Sequence, residues 1–244
     1  MDARRKRAKK KPRIDVPALF GGSEARTLWL FTLVLNEPIT ATELARVIGV
    51  TQKAAVLITN FFVEIGVVEK QRTMSKGPHG TRLYCPIRLN VAHPAYRELR
   101  EYCLAAANEV GLERKEVFRD PSWRPKGVKV ETELFERLFG SAMTSRSVIV
   151  TELAHGIQSR KLSKISGKPS DNHIWQMIKK PTSPVQSIFQ RAFPGGKTGW
   201  ELSKHIPARR LFRKLILKLS KIEPSLQALA AASRLIKVNV KVIP

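Results

Sequence analysis

The residues best suited to chemistry lie between Ser170 and Pro181, in the run SDNHIWQMIKKP. Helical periodicity predicts a helix capped by Ser170, with Ile174, Met177 and Ile178 toward a core. Asn172, His173, Trp175, Gln176, Lys179 and Lys180 then face outward. Asn and Gln carry the paired donor and acceptor that an adenine edge requires, and lysines suit phosphates. Trp175 fits a core as readily as a base. Such a set suits the recognition of a nucleic acid, and no pairing for bond-making chemistry stands out in it.

Other chemistries lack their spacing. GGKTG at Gly195–Gly199 resembles a phosphate-binding loop, but Arg191 stands where that loop needs its first glycine, and no buried strand feeds it. His79, His93, His155, His173 and His205 are scattered, without metal-ligand spacing. Glu131 and Glu133 have ordinary helix-surface spacing. The expectation is a chain that is not an enzyme and needs no cofactor, no metal and no small-molecule effector. Cys85 and Cys103 have no neighbour at ligand spacing, and buried reduced thiols suit a cytoplasmic protein, nucleoid-associated when bound to DNA.

Charge points the same way. Lys and Arg number 44 against 20 acids, a formal net charge of +24, which attracts polyanions. An acidic membrane surface is the competing partner, but no apolar run approaches the ~20 residues that span a bilayer. The charged N-terminus lacks the apolar segment of a secretory signal. Residues 1–13 carry +7 and residues 121–244 carry +16, whereas residues 14–120 carry only +1. The cationic character belongs to the tail and the rear half.

Residues 1–17 read as a disordered basic arm, in which Arg4, Arg5 and Arg7 could track phosphates or a minor groove. The dense apolar residues from Ser23 to Leu35 predict a buried first helix, stopped at Asn36-Glu37-Pro38. Ile39-Thr40 suits a short strand, and Thr40 or Thr42 a cap for a helix over Glu43–Ile48. Gly49 supplies a sharp turn, and Thr51 caps a third helix ending at Gly66. Val67–Lys70 and Thr81–Leu89 read as strands around the turn SKGPHG, and His93–Ala107 as an amphipathic helix. Residues 108–130 read as a linker.

The order then returns. Gly22-Ser23 answers to Gly140-Ser141, Ile39 to Ile157, Leu44 to Leu162 and Gly49 to Gly167, each 118 residues on. The turn at Lys76–Gly80 answers to Pro194–Thr198 at the same spacing, and the helix before Ile157 needs a small local shift. The expected architecture is mainly α with small β-wings: two winged helix-turn-helix domains in tandem, at 18–107 and 131–221. A C-terminal helix and short strand follow at 222–244.

The segment ITATELARVIGVTQKAAVLITNFFVEIGVVEK, followed by GTRLYCPIRLNVAHPAYRELREY, resembles winged-helix regulators of the broad ArsR/MarR-like type. The resemblance implies that the helix from Thr51 enters the major groove. It makes the hairpin around Lys76–Arg82 a wing, with Lys76 and Arg82 near the DNA backbone or minor groove.

The first unit departs from that pattern in its reading helix, TQKAAVLITNFFVEIG. Core positions take Ala55, Ile58 or Thr59, and Phe62, which leaves Val56, Leu57, Phe61, Val63 and Ile65 on the remaining faces. A helix apolar nearly all round is covered on more than one side, so these five are expected to form a homodimer interface. The alternative is an apolar reading helix that still docks on DNA through Gln52, Lys53 and Asn60. The second unit offers the helix at 170–181, a glycine-rich wing with Lys197 between Arg191 and Lys204, and a basic helix face starting with Arg209, Arg210 and Arg213. Arg209 to Lys221 alternate with Leu211, Phe212, Leu215, Ile216 and Leu219. The expected function is a sequence-specific double-stranded-DNA-binding transcriptional regulator acting as a dimer. A plasmid or phage replication initiator or partition protein is the alternative, and a winged-helix protein-interaction scaffold the third reading.

Overall fold

The computed structural model describes residues 14–77, 80–115, 127–129, 137–154, 157–158, 162, 188–192, 199–222 and 228. They form a mainly helical protein with small antiparallel sheets. In α1 (Glu24–Asn36) Trp29, Leu30, Phe31, Leu33 and Val34 are all in the core. The helix ends where Glu37 turns extended, as the residue before a proline prefers. Thr40 and Glu43 exchange side-chain and backbone hydrogen bonds in a capping box that starts α2 (Ala41–Ile48). Gly49, at φ 74°, turns the chain through the left-handed region that glycine occupies at least cost. Thr51 then caps α3 (Gln52–Glu64) through the Ala54 N–H.

β1 (Ile39–Thr40) and β2 (Val68–Lys70) both pair antiparallel with β5 (Pro86–Leu89), giving the order β1-β5-β2. β3 (Thr73–Gly77) and β4 (Gly80–Tyr84) prolong the hairpin. The single strand expected over Thr81–Leu89 is therefore two, interrupted at Cys85. α4 (Tyr96–Glu109) starts three residues later than expected. A turn holds His93 and Pro94 outside it, with the Tyr96 N–H donating to the His93 carbonyl and the Ala95 N–H to His93 Nδ1.

The rear half contains α5 (Ala142–Ala154), β6 (Ile157–Gln158), β7 (Phe189–Ala192), β8 (Gly199–Leu202) and α6 (Arg209–Ile222). Its strand order, β6-β8-β7, repeats the front: first and middle strands flank the last. Val68 pairs with Leu89 as Phe189 pairs with Leu202, and Ile39 with Ile87 as Ile157 with Trp200. After the last strand, the side chains of Asn90 and Ser203 each accept from the N–H two residues on. Leu99, Tyr102, Cys103 and Ala106 on α4 occupy the places of Phe212, Leu215, Ile216 and Leu219 on α6, all buried.

The spacing of the repeat is not uniform. α1 and α5 lie 118 residues apart with no shift between them, contrary to expectation. The middle strands lie 121 apart, and the last strands and final helices 113 apart. The rear hairpin is simply shorter: 13 residues separate Phe189 from Leu202, against 21 from Val68 to Leu89.

Equivalent parts of the halves meet. α4 packs on α6, and the turn before α1, where the Gly21 N–H donates to the Leu138 carbonyl at 2.8 Å, meets the turn before α5. Phe20 stacks on Phe139 at 5.9 Å, Tyr102 tilts onto Phe212 at 5.3 Å, and Phe139 meets Phe212 at 6.0 Å. Matching surfaces joined to each other are the mark of two-fold-like pairing. One continuous apolar core results.

Two expected boundaries move. Val16 and Pro17 are buried, so the N-terminal arm cannot extend to residue 17. The presumed linker at 108–130 begins inside α4 and, where described, is fastened to the front half. Lys115 N–H donates to Asn36 Oδ1 at 2.7 Å, Gly127 N–H to Glu69, and Val128 exchanges two hydrogen bonds with the Asn90 amide. The buried amides of Asn36 and Asn90 need such partners.

Candidate nucleic-acid interface

α3 presents two unlike sides. Ala55, Ile58, Thr59 and Phe62 are buried as the apolar spacing predicts. Phe61 and Ile65, expected at a dimer interface, are buried inside the chain. Phe61 meets Phe62 edge-on at 5.2 Å and lies under the Arg26 guanidinium, 3.9 Å from the ring centroid. Arg26 also donates to the Gly21 carbonyl at 2.8 Å, and a Cβ at Gly21 would collide with Arg26 and with the Phe61 ring. Burial and the neighbouring Arg137 pull the Arg26 pKa below its ordinary value. Intramolecular packing thus claims both residues.

Val56, Leu57 and Val63 remain open to solvent, Leu57 at 61%. With Lys53, Asn60 and Glu64, all exposed, they form one outward face at helical spacing. Arg137, from the rear half, reaches Glu64 at 2.5 Å. Gln52 lies at the rim and donates to the Thr42 hydroxyl at 3.2 Å. Arg46 on α2 and Lys70 and Arg72 at the hairpin base are also exposed.

The hairpin carries Lys76 opposite Thr81, and Arg82 opposite Ser75, close to its tip. In the rear half, exposed Arg191 pairs across the sheet with Trp200. Lys204 is exposed too, and its N–H is held by Gln190 Oε1 at 3.0 Å. Asn172, His173, Trp175, Gln176, Lys179, Lys180 and Lys197, with Arg4, Arg5 and Arg7, lie outside the described residues.

α6 separates what its sequence groups together. Arg209 is not an open cation: its guanidinium bonds the carboxylate of Glu152 on α5, which is buried. Burial raises the Glu152 pKa, while Arg209 and Arg213 oppose that rise. Arg209 therefore anchors α6 to α5, an intramolecular role that its place in the basic run does not announce. Arg210, Arg213 and Lys214 are exposed. Lys214, Lys218 and Lys221 line a groove of about 300 Å³ whose other wall is Arg97, Glu98 and Glu101 on α4. The far end of the basic stripe thus faces carboxylates of its own chain, whereas Arg210 lies outside that groove.

Sequence reasoning missed Arg26, Arg137 and the role of Glu152. The last had a signal: one acid in the apolar run SVIVTELA implies a buried partner. A larger cavity, about 390 Å³, is bounded by Glu37, Arg88, Tyr96, Arg97, Arg100 and Glu101. Its arginines already hold Glu37, Glu69 and Glu101. Among the described residues no three His, Cys, Asp or Glu side chains converge on a metal position. No single described helix is long and apolar enough to cross a membrane.

No protein-family model, curated protein or solved structure matches the chain.

Proposed function

We propose that the chain is a sequence-specific double-stranded-DNA-binding protein made of two winged-helix modules, acting as a transcriptional regulator. The observation that carries this reading is the repeated unit itself. Each half has a helix, a short strand, and a hairpin whose last strand is central, and equivalent helices pair. Such pairing offers two modules to one duplex, and the +24 charge supplies the long-range attraction.

The chain's own halves serve as the pair in this reading. The homodimer expected through α3 loses two of its five contacts to the core. A second copy seated on that face would also set Lys53 and its neighbouring cations against themselves. The unlike charges of the halves favour an asymmetric or repeated site, which suits the replication-initiator alternative as a second reading.

Selection of bound duplexes from a random pool, at physiological salt and with the full chain, tests the proposal. An enriched motif supports it. Uniform recovery of all sequences contradicts it and favours a scaffold whose DNA contact is only electrostatic. Charge reversal at Lys179 and Lys180 is expected to abolish binding, and reversal at Lys53 to weaken it less.

A further inference from the structure

We infer that α3 reads A·T base pairs chiefly through thymine methyl groups, with Leu57 and Val56 as the apolar contacts and Asn60 as the adenine contact. This rests on the DNA-binding reading above and specifies what its front module recognises. The exposed face runs Lys53, Val56, Leu57, Asn60, Val63 along successive turns. Apolar side chains fit the thymine C5-methyl, which projects into the major groove. An amide fits adenine N6 and N7 in a bidentate pair. Leu57 and Asn60 are three apart, and Val56 and Asn60 four apart, so all three share one patch.

Charge decides the occupant. Lys53 opens the stripe and Arg46, Lys70 and Arg72 are exposed on the adjoining elements, while Glu64, the one acid on the face, is held by Arg137. An apolar strip beside cations matches a groove floor walled by phosphates. It repels a second copy, whose same face is equally cationic.

The test uses the full chain and three short duplexes: alternating dA-dT, the same with dU replacing every dT, and alternating dG-dC. Replacing dT by dU removes only the methyl group and leaves the protein untouched. Binding is expected to weaken about fourfold for each methyl contacted, the equilibrium equivalent of about 0.8 kcal/mol per buried carbon. Binding to dG-dC is weaker again. Leu57→Ala should shrink the difference between dT and dU and the double variant Val56→Ala with Leu57→Ala should erase it while binding persists, and Asn60→Ala should reduce the preference for A·T over G·C. Equal affinity for dT and dU duplexes, or a methyl preference that survives intact in the double variant Val56→Ala with Leu57→Ala, overturns this inference and leaves DNA binding standing. Failure to bind any of the three overturns the DNA-binding reading with it. A loss of sedimenting mass from dimer to monomer in Leu57→Glu would assign the stripe to a second copy and overturn the inference as well.

Discussion

Tyr102 on α4 and Phe212 on α6 meet with ring centroids 5.3 Å apart, and both are fully buried. The contact joins helices that hold corresponding places in the two halves, so the seam between them is core and not a surface touch. Phe212→Ala removes a side chain that also meets Phe139. It should cost about 3–5 kcal/mol. Urea unfolding followed separately at Trp29 and Trp200, one in each half, should show coincident transitions before and after the substitution.

Tyr102→Phe should behave oppositely. Among the described residues the Tyr102 hydroxyl has no hydrogen-bond partner, and a buried unpaired polar group is costly. Burial pushes its pKa well above the ordinary value. Equal or greater stability is expected for the Phe variant, read as the midpoint of urea unfolding.

Arg209 compensates the buried Glu152 carboxylate. Arg209→Met removes the carboxylate's direct partner and leaves only Arg213 to favour its charge, so it should cost less at pH 8 than the ~3–5 kcal/mol typical of a fully buried pair. The penalty should shrink toward pH 5, because the stranded carboxyl takes up a proton. A double variant, Glu152→Gln with Arg209→Met, should recover much of the loss.

His93 carries a pH dependence of known sign. Burial lowers its pKa to about 3 from an ordinary 6.5, so the folded state holds a neutral ring. The unfolded chain binds that proton first. Stability from this group is therefore intact above pH 6.5 and falls by up to ~1.4 kcal/mol per pH unit below it, until the folded form also protonates near pH 3. The corresponding position in the rear half is Ile206, also buried. His93→Ile should flatten unfolding free energy against pH across that window. It should also cost about 1 kcal/mol at pH 8, since the Ala95 N–H loses its acceptor.

Local signals made the front half largely legible. Thr40 with Glu43, Gly49 and Thr51 mark where α2 and α3 start and stop, because caps and left-handed turns depend on nearest neighbours. The buried face of α3 followed from spacing. What covers Phe61 did not, since Arg26 and Arg137 lie 35 and 76 residues away along the chain. Glu152 and Arg209 are similarly distant, so a pattern that counts charges along α6 groups an anchor with exposed cations. Gly22-Ser23 and Gly140-Ser141, just before α1 and α5, kept their expected spacing, while Gly167 and the turn at Pro194–Thr198 lie outside the described residues. The changing spacing of the repeat was not legible, because hairpin length obeys no helical period. Trp29 in α1 answers to Ser147 in α5, while Ile87 in β5 answers to Trp200 in β8. Among the described residues each half thus places an indole in its helix-sheet core from a different element, which hides the likeness from residue-by-residue comparison.

Titrating the full chain onto a labelled duplex from the selected pool, over rising salt, tests the central claim most directly. The account predicts saturable binding by one chain per duplex, with affinity falling linearly in log-log form and a slope set by several phosphate contacts. Absence of binding at low salt would contradict it, as would binding equally tight to an unselected duplex.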